Sequence, residues 1–131
     1  MAELLLVDER VDESALLYIA VSLRRPGTTI AELRQVAGVE ALLAEARARG
    51  GPLPRLVIAG RQALLALAYR DPPPPWAAEI PVVGFAAALD LADAERMRTA
   101  GVREIHARPV EWRPYCETVA AILGRWLSRA P

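Results

Sequence analysis

The sequence predicts an α/β protein, in which a five-stranded parallel sheet of order 2-1-3-4-5 is covered by helices on both faces. Two observations carry this prediction: short apolar runs of strand length recur along the chain, and segments of helix length lie between them. Strands that alternate with helices are joined by right-handed crossovers, which give a parallel sheet buried on both faces. The 131 residues are sufficient for one such three-layer domain, predicted to span residues 1–131.

The first four predicted elements alternate strand and helix. Leu4–Val7 is a short apolar run before two acidic residues, which is typical of a buried strand. Asp12–Leu23 is predicted to be a helix that Asp12 caps, with one apolar face formed by Ala15, Leu16, Ile19 and Leu23. Thr28–Val36 alternates weakly and is predicted to be a strand. Val39–Arg49 is predicted to be a helix, which a glycine pair ends.

The second half of the chain continues the alternation. Arg55–Ala59 and Ile80–Phe85 are apolar runs, which indicate two central strands. Between them, Gln62–Tyr69 is predicted to be a short helix, and the proline run Asp71–Pro75 is predicted to be a rigid connector. The remaining predicted elements are a helix, a short strand and a last helix, at Leu89–Ala100, Glu104–Ala107 and Trp112–Ser128.

Composition and charge restrict the class of protein. Hydrophobic residues make up 53% and charged residues 24% of the chain, as in globular proteins. Sixteen acidic residues balance 16 basic ones, so no global field favours nucleic acid or an anionic membrane. Cys116 is the single cysteine, and the sequence shows neither a basic leader nor an apolar stretch of about 20 residues. A cytoplasmic protein that binds neither nucleic acid nor membrane is therefore expected.

Six short segments keep a fixed order and spacing over nearly the whole chain. They are LLLVDE at Leu4–Glu9, AGVEALLAEA at Ala37–Ala46, LPRLVIAG at Leu53–Gly60, EIPVVGFAA at Glu79–Ala87, AGV at Ala100–Val102 and RPVEW at Arg108–Trp112. In this arrangement the chain resembles the receiver domains of two-component response regulators, in particular the single-domain regulators associated with bacterial phytochromes. The resemblance implies the flavodoxin-like fold with the strand order given above.

The resemblance also implies where a phosphorylation site would lie. A working receiver phosphorylates itself on an aspartate that ends the third strand, and an acidic pair after the first strand helps to hold Mg²⁺. In this chain the acidic pair is retained as Asp8 and Glu9, but the aspartate position falls on Gly60. The family also carries a serine or threonine at the end of the fourth strand, and that position falls on Ala86.

The remaining features of the family lie on the fifth strand and directly after it. The lysine position falls on Arg108, which Pro109 still follows, and the aromatic switch position falls on Ile105. Arginine stays protonated and offers a planar fork of donors, so Arg108 is expected to fill the pocket with a permanent cation. Its expected partner is the acidic pair of Asp8 and Glu9.

These departures predict a degenerate receiver with no catalytic residue. Gly60 has no side chain that could accept a phosphoryl group or offer an oxygen to a metal. Ala86 cannot bond a phosphoryl oxygen, and Mg²⁺ binding by Asp8 and Glu9 alone is expected to be poor. The chain is therefore expected to need no cofactor and to act as an interaction module in bacterial two-component signalling, outside the phosphorelay chemistry itself.

The last predicted helix offers a candidate interface. It carries a broad apolar stripe, and tryptophans at its two ends exceed what packing on one sheet face needs. The resemblance implies dimerisation through the last strand and the helices beside it, and an isologous homodimer is predicted there. A sensor histidine kinase or a phytochrome is a further expected partner. The candidate interface residues are Arg96, Arg98, Glu104, Glu111, Trp112, Arg113 and Trp126.

A second interpretation belongs to another class of protein. A small flavodoxin-like enzyme or ligand-binding domain would use the same strand ends. Against it, no loop after a strand carries a phosphate-binding pattern or a nucleophile beside a base.

Overall fold

The structure is a computed structural model and describes residues 2–127. These residues form five strands and six helices. The strands are β1 Leu4–Val7, β2 Ile30–Leu33, β3 Leu56–Ala59, β4 Val82–Ala86 and β5 Val102–Ala107. The helices are α1 Val11–Arg24, α2 Val36–Ala48, α3 Arg61–Ala68, α4 Trp76–Glu79, α5 Leu91–Thr99 and α6 Trp112–Trp126. All strand pairs are parallel and the order is β2-β1-β3-β4-β5, which confirms the predicted fold class.

The sheet separates two apolar cores. Residues of α2, α3, α4 and α5 pack on one face of the sheet, around Leu64 and Met97. Residues of α1 and α6 pack on the other face, around Ile58 and Ile122. Strands β1, β3 and β4 are buried over their whole length, since helices cover both faces, and this burial explains why their sequences are nearly all apolar.

Several element boundaries differ from the predicted ones. Strand β2 covers only Ile30–Leu33, because it pairs with β1 and β1 stops at Val7, the partner of Leu33. Val36, predicted to end that strand, is instead the first residue of α2 and is buried in the core. Strand β5 begins at Val102, two residues earlier than predicted, because the chain pairs with β4 from that point.

The connection from β3 to β4 contains a helix that the sequence did not predict. The proline run is followed by the single turn α4, which places Trp76 and Ala77 in the core on the α2, α3 and α5 side of the sheet.

Helix α5, which follows β4, begins at Leu91. There the Asp90 carboxylate accepts the backbone N–H of Ala92 at 2.8 Å and that of Asp93 at 3.3 Å. This cap satisfies two free N–H groups of the first turn.

Helix α1 is rotated relative to the prediction. Its buried residues are Ser14, Leu17, Ala20 and Val21. The predicted core face, with Leu16, Ile19 and Leu23, points to solvent instead. Asp12 is not the cap either, since the helix begins at Val11 and the Asp12 carboxylate accepts from the Arg10 guanidinium.

The final helix is close to its predicted extent. Helix α6 begins at Trp112 and ends at Trp126, and the predicted end at Ser128 lies outside the described residues. None of the helices within residues 2–127 combines the length and the apolar character that crossing a bilayer requires.

Candidate functional site

The carboxyl ends of the strands form a cleft at one edge of the sheet. Its volume is about 320 Å³. In doubly wound folds this edge is the usual place of a ligand or an active site. The cleft is lined by Asp8, Glu9, Arg10, Arg61, Gln62, Ala87, Ala88 and Arg108. The structure therefore brings the predicted acidic pair and Arg108 to one place.

Asp8 occupies the space beside Gly60. A Cβ atom built on Gly60 would lie 2.7 Å from Asp8 Cγ and closer still to Asp8 Oδ2, which is nearer than real Cβ contacts allow. The Asp8 carboxylate is held in this orientation by the backbone N–H of Arg10, which donates to Oδ1 at 3.0 Å. The volume that an acceptor side chain would need is thus filled by the first residue of the acidic pair.

Arg108 is paired with a residue that the sequence did not indicate. Its Nη1 lies 2.5 Å from Oε2 of Glu13 on α1, and both side chains are largely buried. The expected pairing of Arg108 with Asp8 and Glu9 is therefore wrong, because the guanidinium turns toward α1. It also lies 6.0 Å from the ring centroid of Phe85, on the α1 side of the sheet.

Replacing Arg108 by alanine is expected to lower the free energy of unfolding by about 1–2 kcal/mol, because Glu13 keeps its charge and loses its partner. Chemical denaturation at pH 7 measures the change. Arg113→Ala is the matched control, since Arg113 pairs with Glu117 on the exposed side of α6 and its loss should cost less than about 0.5 kcal/mol. Equal effects of the two substitutions would show that the Arg108 pair is no stronger than a surface pair.

The other predicted pocket positions have apolar side chains without a polar group for catalysis or binding. Ala86 is buried at the end of β4, and its carbonyl accepts the backbone N–H of Arg108 at 3.1 Å. Ile105 is half-buried and packs against the core under α5, so no aromatic ring occupies the switch position. Pro109 follows Arg108 and is half-buried.

The acidic residues of the cleft do not form a metal site. Within residues 2–127, no three His, Cys, Asp or Glu side chains lie close enough together to hold a metal ion. A Mg²⁺ site in a protein combines several oxygen ligands, and the residue beside Asp8 that would have to supply a further carboxylate is Gly60. The residues present therefore do not fit the metal that the fold family implies.

Glu104 and Trp126, two of the predicted interface residues, contact each other. The Trp126 Nε1–H donates to Glu104 Oε2 at 3.1 Å, and the His106 ring nitrogen Nε2 and the Arg125 guanidinium both contact Oε1. Burial alone raises the pKa of the Glu104 carboxyl, but the hydrogen bonds from Arg125 and His106 outweigh it and hold the pKa below its usual value. These two residues fasten α6 to β5.

The remaining predicted interface residues are dispersed. Arg96 lies over the ring of Tyr69, 4.8 Å from its centroid, and so faces the groove between α3 and α5. Trp112 is 43% exposed and stacks on Tyr115, while Arg113 pairs with Glu117 along α6. Arg98 and Glu111 are exposed at the end of α5 and the start of α6.

Two features of this site were missed from the sequence. Glu13 was not predicted to take part, although its position in the first turn of a helix that follows the acidic pair could have suggested contact with the strand ends. Tyr115 lies beneath Trp112 and meets Phe85 edge-on, with 5.0 Å between ring centroids. Burial raises the pKa of the Tyr115 hydroxyl.

Comparison with known proteins reveals the fold and little else. No family model and no curated protein matches the sequence. Solved structures do match: the phosphorylated cyanobacterial phytochrome response regulator RcpA aligns with a TM-score of 0.73 at 16% identity, over 100% of this chain and 98% of its own. The Mn²⁺-bound response regulator Rcp1 aligns with a TM-score of 0.71 at 18% identity, over 98% and 96%.

A third similar structure is a regulator of unusual type. An atypical orphan response regulator, described as having a phosphorylation-independent regulatory mechanism, aligns with a TM-score of 0.61 at 14% identity, over 94% of this chain and 96% of its own. At these identities the likeness concerns the fold. The chain has the receiver-domain fold, and phytochrome-associated response regulators are among its structural neighbours.

Proposed function

We propose that this chain is a single, degenerate receiver domain that does not undergo aspartyl phosphorylation and acts by binding other proteins. The observation that carries the proposal is the position of Gly60, which directly follows β3 at the acceptor position while the Asp8 carboxylate fills the space beside it. The acceptor position itself therefore carries no side chain, and the carboxylate beside it belongs to Asp8.

The rest of the cleft supports the same proposal. Phosphoryl transfer needs a metal and a free cation to neutralise the developing charge on the transferred group. Here Arg108 is engaged with Glu13, and Ala86 offers no hydroxyl to a phosphoryl oxygen. A structural neighbour is described as having a phosphorylation-independent regulatory mechanism, which supports such a role for this fold.

The partners belong to the same proposal. Likeness to phytochrome response regulators supports a sensor histidine kinase or a phytochrome as the partner, in the bacterial cytoplasm. Trp112, exposed at the start of α6, supports a protein contact near the last helix, including a homodimer. Because Glu104 and Trp126 are hydrogen-bonded to each other, the exposed Trp112 with Glu111 and Arg113 is the part of this surface that is more available to a partner.

Ligand binding without catalysis is the second candidate. The observation that favours it is the cleft of about 320 Å³ at the strand ends, with Arg61 on its wall. Native mass spectrometry of protein purified without denaturation detects a co-purifying small molecule, and its presence would favour this candidate over the first.

Incubation with acetyl phosphate and Mg²⁺, followed by intact-mass measurement, tests the missing acceptor. We expect the mass to stay that of the unmodified chain, while a receiver that keeps its aspartate gains one phosphoryl group under the same conditions. A stable phosphoryl adduct on the wild-type chain would overturn the proposal, and loss of that adduct in Asp8→Asn would identify Asp8 as the unexpected acceptor.

A further inference from the structure

Two residues on the wall of the cleft are locally unfavourable where they stand. Ala88, in the loop between β4 and α5, has φ +43°, the left-handed conformation that residues other than glycine rarely adopt. Arg61 is the first residue of α3, where the positive end of the helix dipole disfavours a cation. Such departures from local preference persist where a contact in the folded protein compensates for them, and they concentrate at functional sites.

The two residues contact each other. The Nη1 group of Arg61 donates to the carbonyl oxygen of Ala88 at 3.2 Å, and so joins the start of α3 to the loop that follows the neighbouring strand. Within residues 2–127, no other hydrogen bond attaches the backbone of Ala87, Ala88 or Leu89 to another element. The Arg61 side chain is therefore the polar contact that holds this part of the loop.

The loop determines how the chain enters α5. Asp90 caps this helix, and Ala88 lies only two residues before the cap. A change of φ at Ala88 would redirect the chain just before the cap, and with it the first turn of the helix. Helix α5 carries Arg96 and Arg98, two of the predicted interface residues, so the conformation of the loop affects a surface on which the proposed function depends.

We propose that Arg61 is a strap, which holds the loop between β4 and α5 in one conformation and keeps the start of α5 fixed without a phosphoryl group. The guanidinium compensates for the strained φ of Ala88 by binding its carbonyl, and a hydrogen bond from a charged donor is stronger than one between neutral groups. This inference rests on the proposed function, because it explains how a domain without phosphorylation keeps a single partner-binding conformation. Arg61 acts through the loop and is a positioning residue.

NMR of the full chain carrying Arg61→Ala tests the strap. We expect the backbone order parameter of Ala88 to fall from about 0.85 in the wild type to below about 0.6. The amides of Ala92 and Asp93, which the cap protects, should exchange with solvent roughly tenfold faster. Exchange within α3 should not accelerate, because alanine is a good helix former and the substitution removes a cation from the start of that helix.

Matched variants separate the strap from a general loss of stability. Arg34→Ala is the control, since Arg34 donates to the carbonyl of Asp8 at 3.1 Å, and its loss should leave the order of the loop unchanged. Adding Ala88→Gly to Arg61→Ala should slow the exchange again, because glycine adopts a positive φ without strain.

Three outcomes would overturn the proposal: a loop that Arg61→Ala leaves as ordered as in the wild type, an equal loss of order in Arg34→Ala, or a double variant that exchanges as fast as Arg61→Ala alone. These measurements involve neither phosphorylation nor a partner. Failure of the strap therefore leaves the proposed function standing, whereas a phosphoryl adduct would overturn that function without altering the exchange rates.

Discussion

Gly60→Asp is expected to lower the free energy of unfolding by about 2–3 kcal/mol in metal-free buffer at neutral pH, although it restores the residue a receiver needs. Gly60 has φ −80° and ψ −178°, a conformation open to any residue, so the cost does not come from the backbone. It comes from the new side chain, which forces Asp8 to move off the Arg10 N–H and places two carboxylates side by side.

Two dependences separate the electrostatic part of this cost from the steric part. Mutual repulsion raises the pKa of one of the paired carboxyls, so the deficit should grow as pH rises above about 4 and shrink as pH falls. Millimolar Mg²⁺ should raise the melting temperature of Gly60→Asp and leave that of the wild type unchanged, since Asp8, Glu9 and the new aspartate together supply three carboxylates.

Glycine-to-alanine substitutions provide the controls. Gly60→Ala should cost about 1 kcal/mol without any response to Mg²⁺, because it displaces Asp8 but adds no charge. Gly124→Ala should instead stabilise the protein by roughly 0.5–1 kcal/mol, since nothing lies within 4 Å of the added atom and the site is inside α6. A neutral effect of Gly60→Asp would mean that Asp8 moves aside freely.

Glu104→Gln is expected to cost about 2 kcal/mol at pH 7, because the neutral amide weakens the contacts to Arg125, His106 and Trp126 at once. The pKa of Glu104 is held low in the folded protein, so the carboxylate stabilises the fold above the unfolded pKa of about 4.5 and loses this effect as pH falls below it. The difference between wild type and Glu104→Gln should therefore narrow in acid.

Chemical denaturation at pH 7 and near pH 3 measures this difference. Glu117→Gln is the control, because Glu117 also pairs with an arginine of α6 but on the exposed side, where such a pair contributes less than about 0.5 kcal/mol. A deficit of Glu104→Gln that stays constant with pH would contradict an electrostatic origin.

The fold could be predicted because its central strands are buried on both faces. Such strands must be apolar at every position, so Leu4–Val7 and Leu56–Ala59 are continuous apolar runs, without the periodic polar residues of an amphipathic helix. The rotation of α1 could not be predicted in the same way. Leu17, Ala20 and Val21 form one apolar face and Leu16, Ile19 and Leu23 another, and the periodicity cannot say which of two apolar faces meets the sheet.

The site shows the same division. The positions of Asp8, Gly60 and Arg108 followed from strand ends, since the carboxyl ends of parallel strands share one edge. The pairings did not follow. Whether Arg108 pairs with Asp8 or with Glu13 depends on the direction of its side chain and on the position of the first turn of α1. The spacing of residues in the sequence predicts neither.

The bridge between Arg108 and Glu13 joins the end of β5 to the first turn of α1. In a receiver that phosphorylation activates, the cation at the position of Arg108 has to be able to pair with the new phosphoryl group. Here its partner is part of the same chain and always present, so the two ends of the cleft hold one arrangement. On the proposed function, occupancy of a partner then depends on the concentrations of the two proteins and not on phosphorylation of this domain.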